Sequence, residues 1–324
     1  MNEVNDNLYA KLADAAFLFE LDQGVVELTG PDRVSWLQRM VSNDVARLKP
    51  GEGCYAAYLN SQGRLVSQMV VLADTGSLHL VLERGNLDHT VSELDKLLIM
   101  EEVEIQDRSS ETACFSLVGG VAATVLERLA GMPFGLGLEY SHRVLGTSRI
   151  VKTGWGYDLM VPQAESSSFR DRLVGSGAEV AELSLLNVLR VEAGLPLYGV
   201  DVDETTTLPE LGEKGIDYDK GCYVGQEVVA RIKYIGHVNR RFVGLKFSGL
   251  SGSGLPPSKS PVTKGDKEVG YVTSAVHSPS LDSGIALAFV RFGSANAGTE
   301  VAVAVDGNPE PATIVDLPFV KHDW

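Results

Sequence analysis

The sequence predicts an α+β protein that ends in a small all-β domain, and two observations support this fold class. Before residue 243, segments with apolar residues at strand spacing alternate with segments at helix spacing. Beyond residue 244 the chain changes to short apolar runs separated by Gly, Pro, Ser and Asp, which is typical of a barrel or sandwich. We therefore expect an α+β domain over residues 1–243, with two or three subdomains, and a β-barrel domain over residues 244–324.

The first half of the chain begins with helix and strand patterns in turn. Near-helical spacing of apolar residues predicts a short helix over residues 8–19, and Pro31 suits the first turn of a second helix that follows a strand. Apolar runs with turns at residues 60–63 and 74–76 then predict an antiparallel meander. An amphipathic pattern predicts a helix over residues 86–100.

A second strand–helix pattern begins at Val103. ACFSLVG predicts a strand, and VAATVLERLAG predicts a helix that ends at Gly131. SRIVKTGWGYDLMVP predicts a hairpin, and two further helices are predicted from SSSFRDRLVGSG and SLLNVLRVEAG. A loop with few apolar residues runs over residues 196–219, and loops of this length in a compact domain are usually functional or disordered.

Composition excludes several classes of function. Hydrophobic residues make up 44% of the chain, which is typical of a folded protein. The formal net charge of -15 argues against binding nucleic acid through bulk electrostatics. No stretch approaches the run of about 18 apolar residues that a membrane span needs, and the N-terminal segment has acids where a secretory signal would have basic residues. We expect a cytoplasmic protein.

The cysteines argue against a disulfide framework and against a metal site. Cys54, Cys114 and Cys222 form an odd set, far apart in sequence, as expected in a reducing compartment. The chain has no CxxC pair and no HExxH motif, whereas self-contained zinc and iron–sulfur sites usually cluster their ligands at short spacing. We therefore predict no resident metal.

The segment RVEAGLPLYGVDVDE carries a carboxylate at an unfavourable place. Glu192 lies at the end of a predicted helix, where the helix dipole disfavours a negative charge. One interpretation is a surface glutamate paired with Arg190. The other is a carboxylate aimed into a cleft, where it would accept two hydrogen bonds from the amidine-like edge of a heterocycle such as a pterin.

The segment KGCYVGQE places Cys222 between Gly221 and Gly225, before a helix predicted to begin at about Val224. Lys220 would favour a reactive thiolate if its side chain points the same way. A lone cysteine is more often a small packed hydrophobe than a reactive group. RIKYIGHVNRR, which follows, is the densest basic run of the chain and is either a solvated face or a receiver for an anionic tail or partner.

Together with YLNSQGRLVSQMVVLA, KTGWGYDLMVP and YVTSAVHSPSLDSGIALAFV, these motifs make nearly the whole chain similar to the family of the glycine-cleavage T protein (aminomethyltransferase) and the folate-binding YgfZ proteins. KGCYVGQE resembles the K-G-C-Y-x-G-Q-E motif of the YgfZ branch. The resemblance implies a T-protein-like ring of α+β subdomains around a central cleft, followed by a C-terminal β-barrel. It also implies tetrahydrofolate, or a one-carbon derivative, as the cofactor.

The YgfZ resemblance implies a tetrahydrofolate-dependent factor for assembly or repair of iron–sulfur clusters, with a link to tRNA modification. The expected partners are folate and iron–sulfur client or assembly proteins. Cys222 is then the functional thiol, with Lys220 beside it as the second catalytic residue. Glu192 would grip the pterin, and Tyr157 would stack near it. The other cofactor-binding residues implied by the motifs are Tyr223, Gln226 and Arg231.

One departure from the family pattern bears on the reaction. Aminomethyltransferases carry a catalytic aspartate in a stretch like N-x-x-G-G-I-L-D-D, whereas the matching stretch here has Ser67 and Gln68 at the acidic positions. Neither side chain carries the charge that would steady a cationic methylene–folate intermediate, and losing such a charge costs several kcal/mol. This disfavours the first alternative, an aminomethyltransferase or demethylase that passes a one-carbon unit to tetrahydrofolate. A second alternative is a non-catalytic folate-binding adaptor in which Cys222 is packed.

Overall fold

The structure is a computed structural model that describes residues 3–135, 137–249 and 254–322. The described part of the chain divides into two compact units. The two-sheet unit comprises residues 11–182 and 214–226, and the barrel unit comprises residues 3–10, 183–213 and 227–322. The long loop predicted over residues 196–219 is therefore shared between the units.

The secondary structure follows the predicted alternation. The helices are α1 (Glu3–Ala10), α2 (Arg33–Met40), α3 (Leu87–Asp95), α4 (Ala122–Ala130), α5 (Ser166–Gly175), α6 (Leu183–Glu192) and α7 (Gln226–Tyr234). The strands are β1 (Phe17–Leu21), β2 (Gln23–Thr29), β3 (Gly53–Leu59), β4 (Leu65–Ala73), β5 (Leu78–Glu83), β6 (Glu104–Asp107), β7 (Thr112–Val118), β8 (His142–Leu145), β9 (Ser148–Thr153), β10 (Gly156–Pro162), β11 (Glu179–Val180), β12 (Arg240–Phe247), β13 (Pro261–Lys264), β14 (Lys267–Ser278), β15 (Ser283–Arg291), β16 (Glu300–Val305) and β17 (Asn308–Val315).

The two-sheet unit contains a five-stranded sheet of order β3-β4-β5-β2-β6 and a six-stranded sheet of order β11-β1-β7-β10-β9-β8. Helix α2 covers one face of the first sheet and buries Trp36 and Leu37 there. Helices α4 and α5 cover one face of the second sheet with residues such as Leu126 and Leu173. The uncovered faces of the two sheets share a cluster of apolar side chains that includes Leu72 and Met160, so these faces lie against each other.

The predicted helix over residues 8–19 is wrong beyond residue 10. Helix α1 ends at Ala10, and Phe17 begins β1, which pairs antiparallel with β7. Phe17 and Phe19 are fully buried in the sheet, so sheet packing overrides the weak helical spacing of this segment. The helix predicted from Val224 begins instead at Gln226, because Gly225 has a left-handed φ of 80°.

The barrel unit contains a closed six-stranded barrel of order β12-β15-β14-β13-β16-β17. Helix α6 packs on the outside of β14 and β15, where Val188 and Val191 meet Ile285 and Leu287. The predicted boundary between residues 243 and 244 falls inside β12. Among the described residues, none of the helices has both the length and the apolar character that a membrane crossing needs.

Candidate functional site

Strand alternation places three polar side chains on the faces where the two sheets meet. In β10, Tyr157 and Leu159 belong to the core under the helices, so Asp158 between them points to the other sheet. In β4, Met69 and Val71 belong to the core between the five-stranded sheet and α2. Gln68, next to Met69, therefore points to the other face of this sheet, which lies against the six-stranded sheet. The same alternation in β3 turns Tyr55 to this face.

Asp158 is the acidic group at this place. Its Oδ1 accepts a hydrogen bond of 2.7 Å from the Ser116 hydroxyl, directly across the β10–β7 ladder. Burial raises the pKa of Asp158 to about 6, although the Ser116 hydrogen bond opposes the rise. The side chain nevertheless keeps partial solvent access. A carboxyl group that titrates near neutral pH and can be reached is suited to proton transfer or to stabilising a cation.

Two tyrosines complete the arrangement. The Gln68 amide donates a hydrogen bond to the Tyr55 hydroxyl. Burial raises the pKa of Tyr140, and the charges of Glu139 and Asp158 raise it further. We call Tyr55, Gln68, Tyr140 and Asp158 the inter-sheet cluster. Ser67 is the other neutral residue at the acidic positions of the aminomethyltransferase motif. It is fully buried, and its hydroxyl lies 3.5 Å from the Gln68 carbonyl oxygen.

Lys214 supplies positive charge at the cluster. Its ammonium lies 3.2 Å from a carboxylate oxygen of Glu139, and both side chains are about half exposed. Lys152 lies on the other face of its sheet, where it pairs with Tyr157 and its ammonium lies 4.8 Å from the Tyr157 ring centroid. The cluster therefore combines aromatic rings, one carboxyl group and one cation inside one unit, which suits a polar heterocyclic or charged ligand.

Lys220, a predicted catalytic residue, is buried, and its ammonium is held by backbone carbonyl groups. Its ammonium donates hydrogen bonds of 2.8, 2.6 and 2.6 Å to the carbonyl oxygens of Gln38, Val41 and Asn43. These carbonyls lie at the C-terminal end of α2, where backbone acceptors lack helical partners and a cation is favourable. Burial lowers the pKa of Lys220 to about 8. The structure thus gives Lys220 the position of a helix cap.

Cys222 is exposed, as a reagent-accessible thiol requires. Its neighbour Tyr223 is buried, and the Lys220 ammonium lies 5.2 Å from the Tyr223 ring centroid. Among the described residues, no three His, Cys, Asp or Glu side chains are grouped as a metal site would require. The roles predicted for Cys222 and Tyr223 stay predictions.

Glu192 lies in the barrel unit and is 0% exposed. Its carboxylate accepts hydrogen bonds from the Tyr9 hydroxyl at 2.7 Å, from the Ser278 hydroxyl, and from His322 Nε2 at 3.0 Å. The alternative of a surface ion pair with Arg190 is wrong, because Arg190 instead donates to Asp201 at 2.6 Å. In this structure the Glu192 carboxylate ties α1, β14 and the C-terminal segment together, and its role as a pterin ligand stays a prediction.

The remaining predicted ligands are scattered. Tyr157 is 6% exposed and packs edge-on against Phe134 in the core under α4 and α5, so its ring lies on the opposite face of β10 from Asp158. Gln226 is half-buried at the start of α7, and Arg231 is exposed on the same helix. Sequence reasoning missed Asp158, although an acid flanked by apolar residues in a strand pattern was the signal that could have found it.

Two family models match the chain. The model described as the GCVT N-terminal domain matches residues 9–216, and the model of the glycine cleavage T-protein C-terminal barrel domain matches residues 240–321. A protein of Thermosynechococcus vestitus named aminomethyltransferase is 31% identical over 92% of this chain and 83% of its own length. One of Moorella thermoacetica with the same name is 29% identical over 97% of this chain and 89% of its own.

A solved structure is similar over the full fold. The glycine cleavage system aminomethyltransferase T from Bartonella henselae superposes with a TM-score of 0.87 at 23% identity, covering 98% of this chain and 90% of that one. The similarity confirms the predicted fold class, an α+β arrangement followed by a closed β-barrel.

The expectation that the protein maintains iron–sulfur clusters is wrong. The two relatives described above, which match over most of the chain, are both named aminomethyltransferase. These findings favour the one-carbon alternative that the missing acid at Ser67 and Gln68 had disfavoured. The iron–sulfur partners and the link to tRNA modification depended on the same expectation and find no support.

The prediction of tetrahydrofolate as the cofactor does not depend on the iron–sulfur expectation. Proteins of the family use tetrahydrofolate as substrate or cofactor, so the cofactor prediction is confirmed at the level of the family. Both model matches together span the two-sheet unit and the barrel, in the order that the T-protein fold requires. The chain belongs to the glycine cleavage T-protein family.

Proposed function

We propose that the protein passes a one-carbon unit from an amine to tetrahydrofolate, as an aminomethyltransferase or demethylase. The observation that carries the proposal is Asp158 in the inter-sheet cluster. Gln68 replaces one of the two acids of the aminomethyltransferase motif, and it points to the same inter-sheet face as Asp158. A carboxylate from β10 thus offers the negative charge that β4 lacks.

The residues present fit a reduced folate. Asp158 and Gln68 offer acceptors and a donor for the polar edge of a pterin. Tetrahydrofolate, when bound, would supply the nitrogen atoms that receive the one-carbon unit. The role of Asp158 is to stabilise positive charge and to hold a proton near neutral pH, since its pKa is about 6.

The test is formation of methylene-tetrahydrofolate by the purified protein. Tetrahydrofolate is supplied with an aminomethylated lipoyl carrier protein or with N-methylated glycines, and the product is measured through a coupled dehydrogenase. The proposal expects turnover by the wild type, loss of roughly 100-fold or more in kcat for Asp158→Asn, and partial recovery in Asp158→Glu. Asp171→Asn, on the exposed face of α5, is the matched control. Absence of turnover with every donor would contradict the proposal.

The same proposal includes a YgfZ-type branch for this chain, supported by the ungapped KGCYVGQE motif and by the exposure of Cys222. In that branch Cys222 contributes a functional thiol to one-carbon transfer. The substitution Cys222→Ser in the assay above should then lower turnover without lowering stability. Unchanged turnover would leave Cys222 as a surface residue. A cytoplasmic location, supported by the three unpaired cysteines, is tested by cell fractionation.

A further inference from the structure

A lysine of the chain itself, Lys214, lies over the two tyrosines of the inter-sheet cluster. The Lys214 ammonium is 6.0 Å from the Tyr55 ring centroid and 5.8 Å from the Tyr140 ring centroid. Both distances fall within the range in which an aromatic face attracts a cation. Lys214 comes from the long loop over residues 196–219, so a loop residue brings this charge to a tyrosine of β3 and to a tyrosine of the turn before β8.

The two rings are held in place by close backbone packing. Tyr140 has a left-handed φ of 64°, which is rare for a bulky residue and persists only where its surroundings fix it. Its N–H donates to the Lys152 carbonyl at 2.7 Å, and its carbonyl oxygen lies where a Cβ on Gly53 would be only 2.8 Å away. Gly215 packs flat on the Tyr55 ring, since a Cβ there would come within 2.6 Å of the ring edge.

Carboxylates flank these rings. Glu139 pairs with Lys214, and the charges of Glu139 and Asp158 both act on Tyr140. Two aromatic faces with nearby carboxylates form an arrangement that recognises ammonium groups. The Lys214–Glu139 pair is a weak occupant, because its side chains are 51% and 43% exposed and exposed ion pairs contribute little.

From this geometry we infer that Tyr55 and Tyr140 form a binding site for the cationic amine of the substrate, with Lys214 holding the place in the free protein. The ligand class is a protonated or N-methylated alkylamine. The inference rests on the proposed function and deepens it by naming the chemical class of the one-carbon donor. The Asp158 carboxylate, whose charge acts on Tyr140, is then available to stabilise positive charge on the nitrogen from which the one-carbon unit departs.

The experiment measures binding and needs neither folate nor turnover. Choline is titrated into the full-length protein by calorimetry beside 3,3-dimethylbutan-1-ol, which has the same shape without the charge. We expect choline to bind the wild type weakly and the neutral alcohol at least roughly tenfold more weakly. Lys214→Met, which removes the resident cation, should tighten choline binding by roughly three- to tenfold. Lys259→Met, which removes a cation over Tyr271 in the barrel unit, is the matched control and should change nothing.

Ring variants make the result independent of folding. Tyr140→Phe keeps the aromatic face and should retain choline binding, whereas Tyr140→Leu should lose it while thermal unfolding confirms that both variants are folded. Equal affinity for choline and the alcohol, or weaker choline binding in Lys214→Met, would overturn the inference. Choline binding in a protein that forms no methylene-tetrahydrofolate would support the amine site and contradict only the proposed function. Turnover without choline binding would support the proposed function and contradict the amine site.

Discussion

Replacing Asp158 by Asn should stabilise the protein at neutral pH and leave its stability unchanged in acid. The folded-state pKa of about 6 lies above the ordinary 3.8, so the folded state binds more protons than the unfolded state between these values. Wild-type stability therefore falls as pH rises through this window. The rise from 3.8 to about 6 is roughly two units, or about 3 kcal/mol. Because the side chain keeps some solvent access, we expect a gain of about 1–3 kcal/mol at pH 8.

Urea unfolding of both proteins at several pH values between about 4 and 8 measures this difference. Asn keeps the shape and the acceptor for Ser116, so packing changes little. The control Asp171→Asn, exposed on α5, should give a difference that does not vary with pH. Functional groups often lower the stability of the fold that holds them. If the difference in unfolding free energy between Asp158→Asn and the wild type does not vary with pH, the argument that the Asp158 carboxyl group is such a group is refuted.

Three further predictions concern groups outside the inter-sheet cluster. Glu192→Ala should lower the free energy of unfolding by about 3–5 kcal/mol, because one buried and two part-buried donors lose a fully buried acceptor; a loss below about 1 kcal/mol in urea unfolding would argue against a structural role. Lys220→Met should cost about 1–3 kcal/mol through the uncapped end of α2 and leave the rate of Cys222 with a thiol reagent unchanged; a slower rate would show that the lysine activates the thiol. Burial and the Arg149 charge lower the pKa of His142 to about 4. The wild type should therefore lose up to about 3 kcal/mol of unfolding free energy as pH falls from 6.5 to 4, because the unfolded state binds the extra proton. His142→Gln should lose that dependence, and a pH profile unchanged by the substitution would contradict the prediction.

The barrel and the helix–strand alternation were predictable because they depend on local patterns. Turn residues separate the strands that form the barrel, and Gly131 ends α4 in a left-handed conformation as its sequence indicates. Phe17 was misassigned because only its pairing with β7, far along the chain, decides between strand and helix. Local patterns carry no information on such distant pairing.

The site was less predictable, since it depends on which face each side chain takes. The sequence pointed to Tyr157, but strand alternation places its neighbour Asp158 on the inter-sheet face. The direction of Lys220 could not be known before the end of α2 was placed beside it. Tyr55 in β3 and Tyr140 in the turn before β8 are far apart in sequence, and only the folded chain places the Lys214 ammonium about 6 Å from both rings.

The central claim is that this protein transfers a one-carbon unit to tetrahydrofolate with the help of Asp158. The most direct measurement is the kcat for methylene-tetrahydrofolate formation by the wild type, Asp158→Asn and Asp158→Glu, with an aminomethylated carrier protein and with N-methylated glycines. The account predicts turnover that falls by roughly 100-fold or more in Asp158→Asn and recovers in part in Asp158→Glu. Product formation that is equal in all three proteins, or absent in the wild type with every donor, would contradict it.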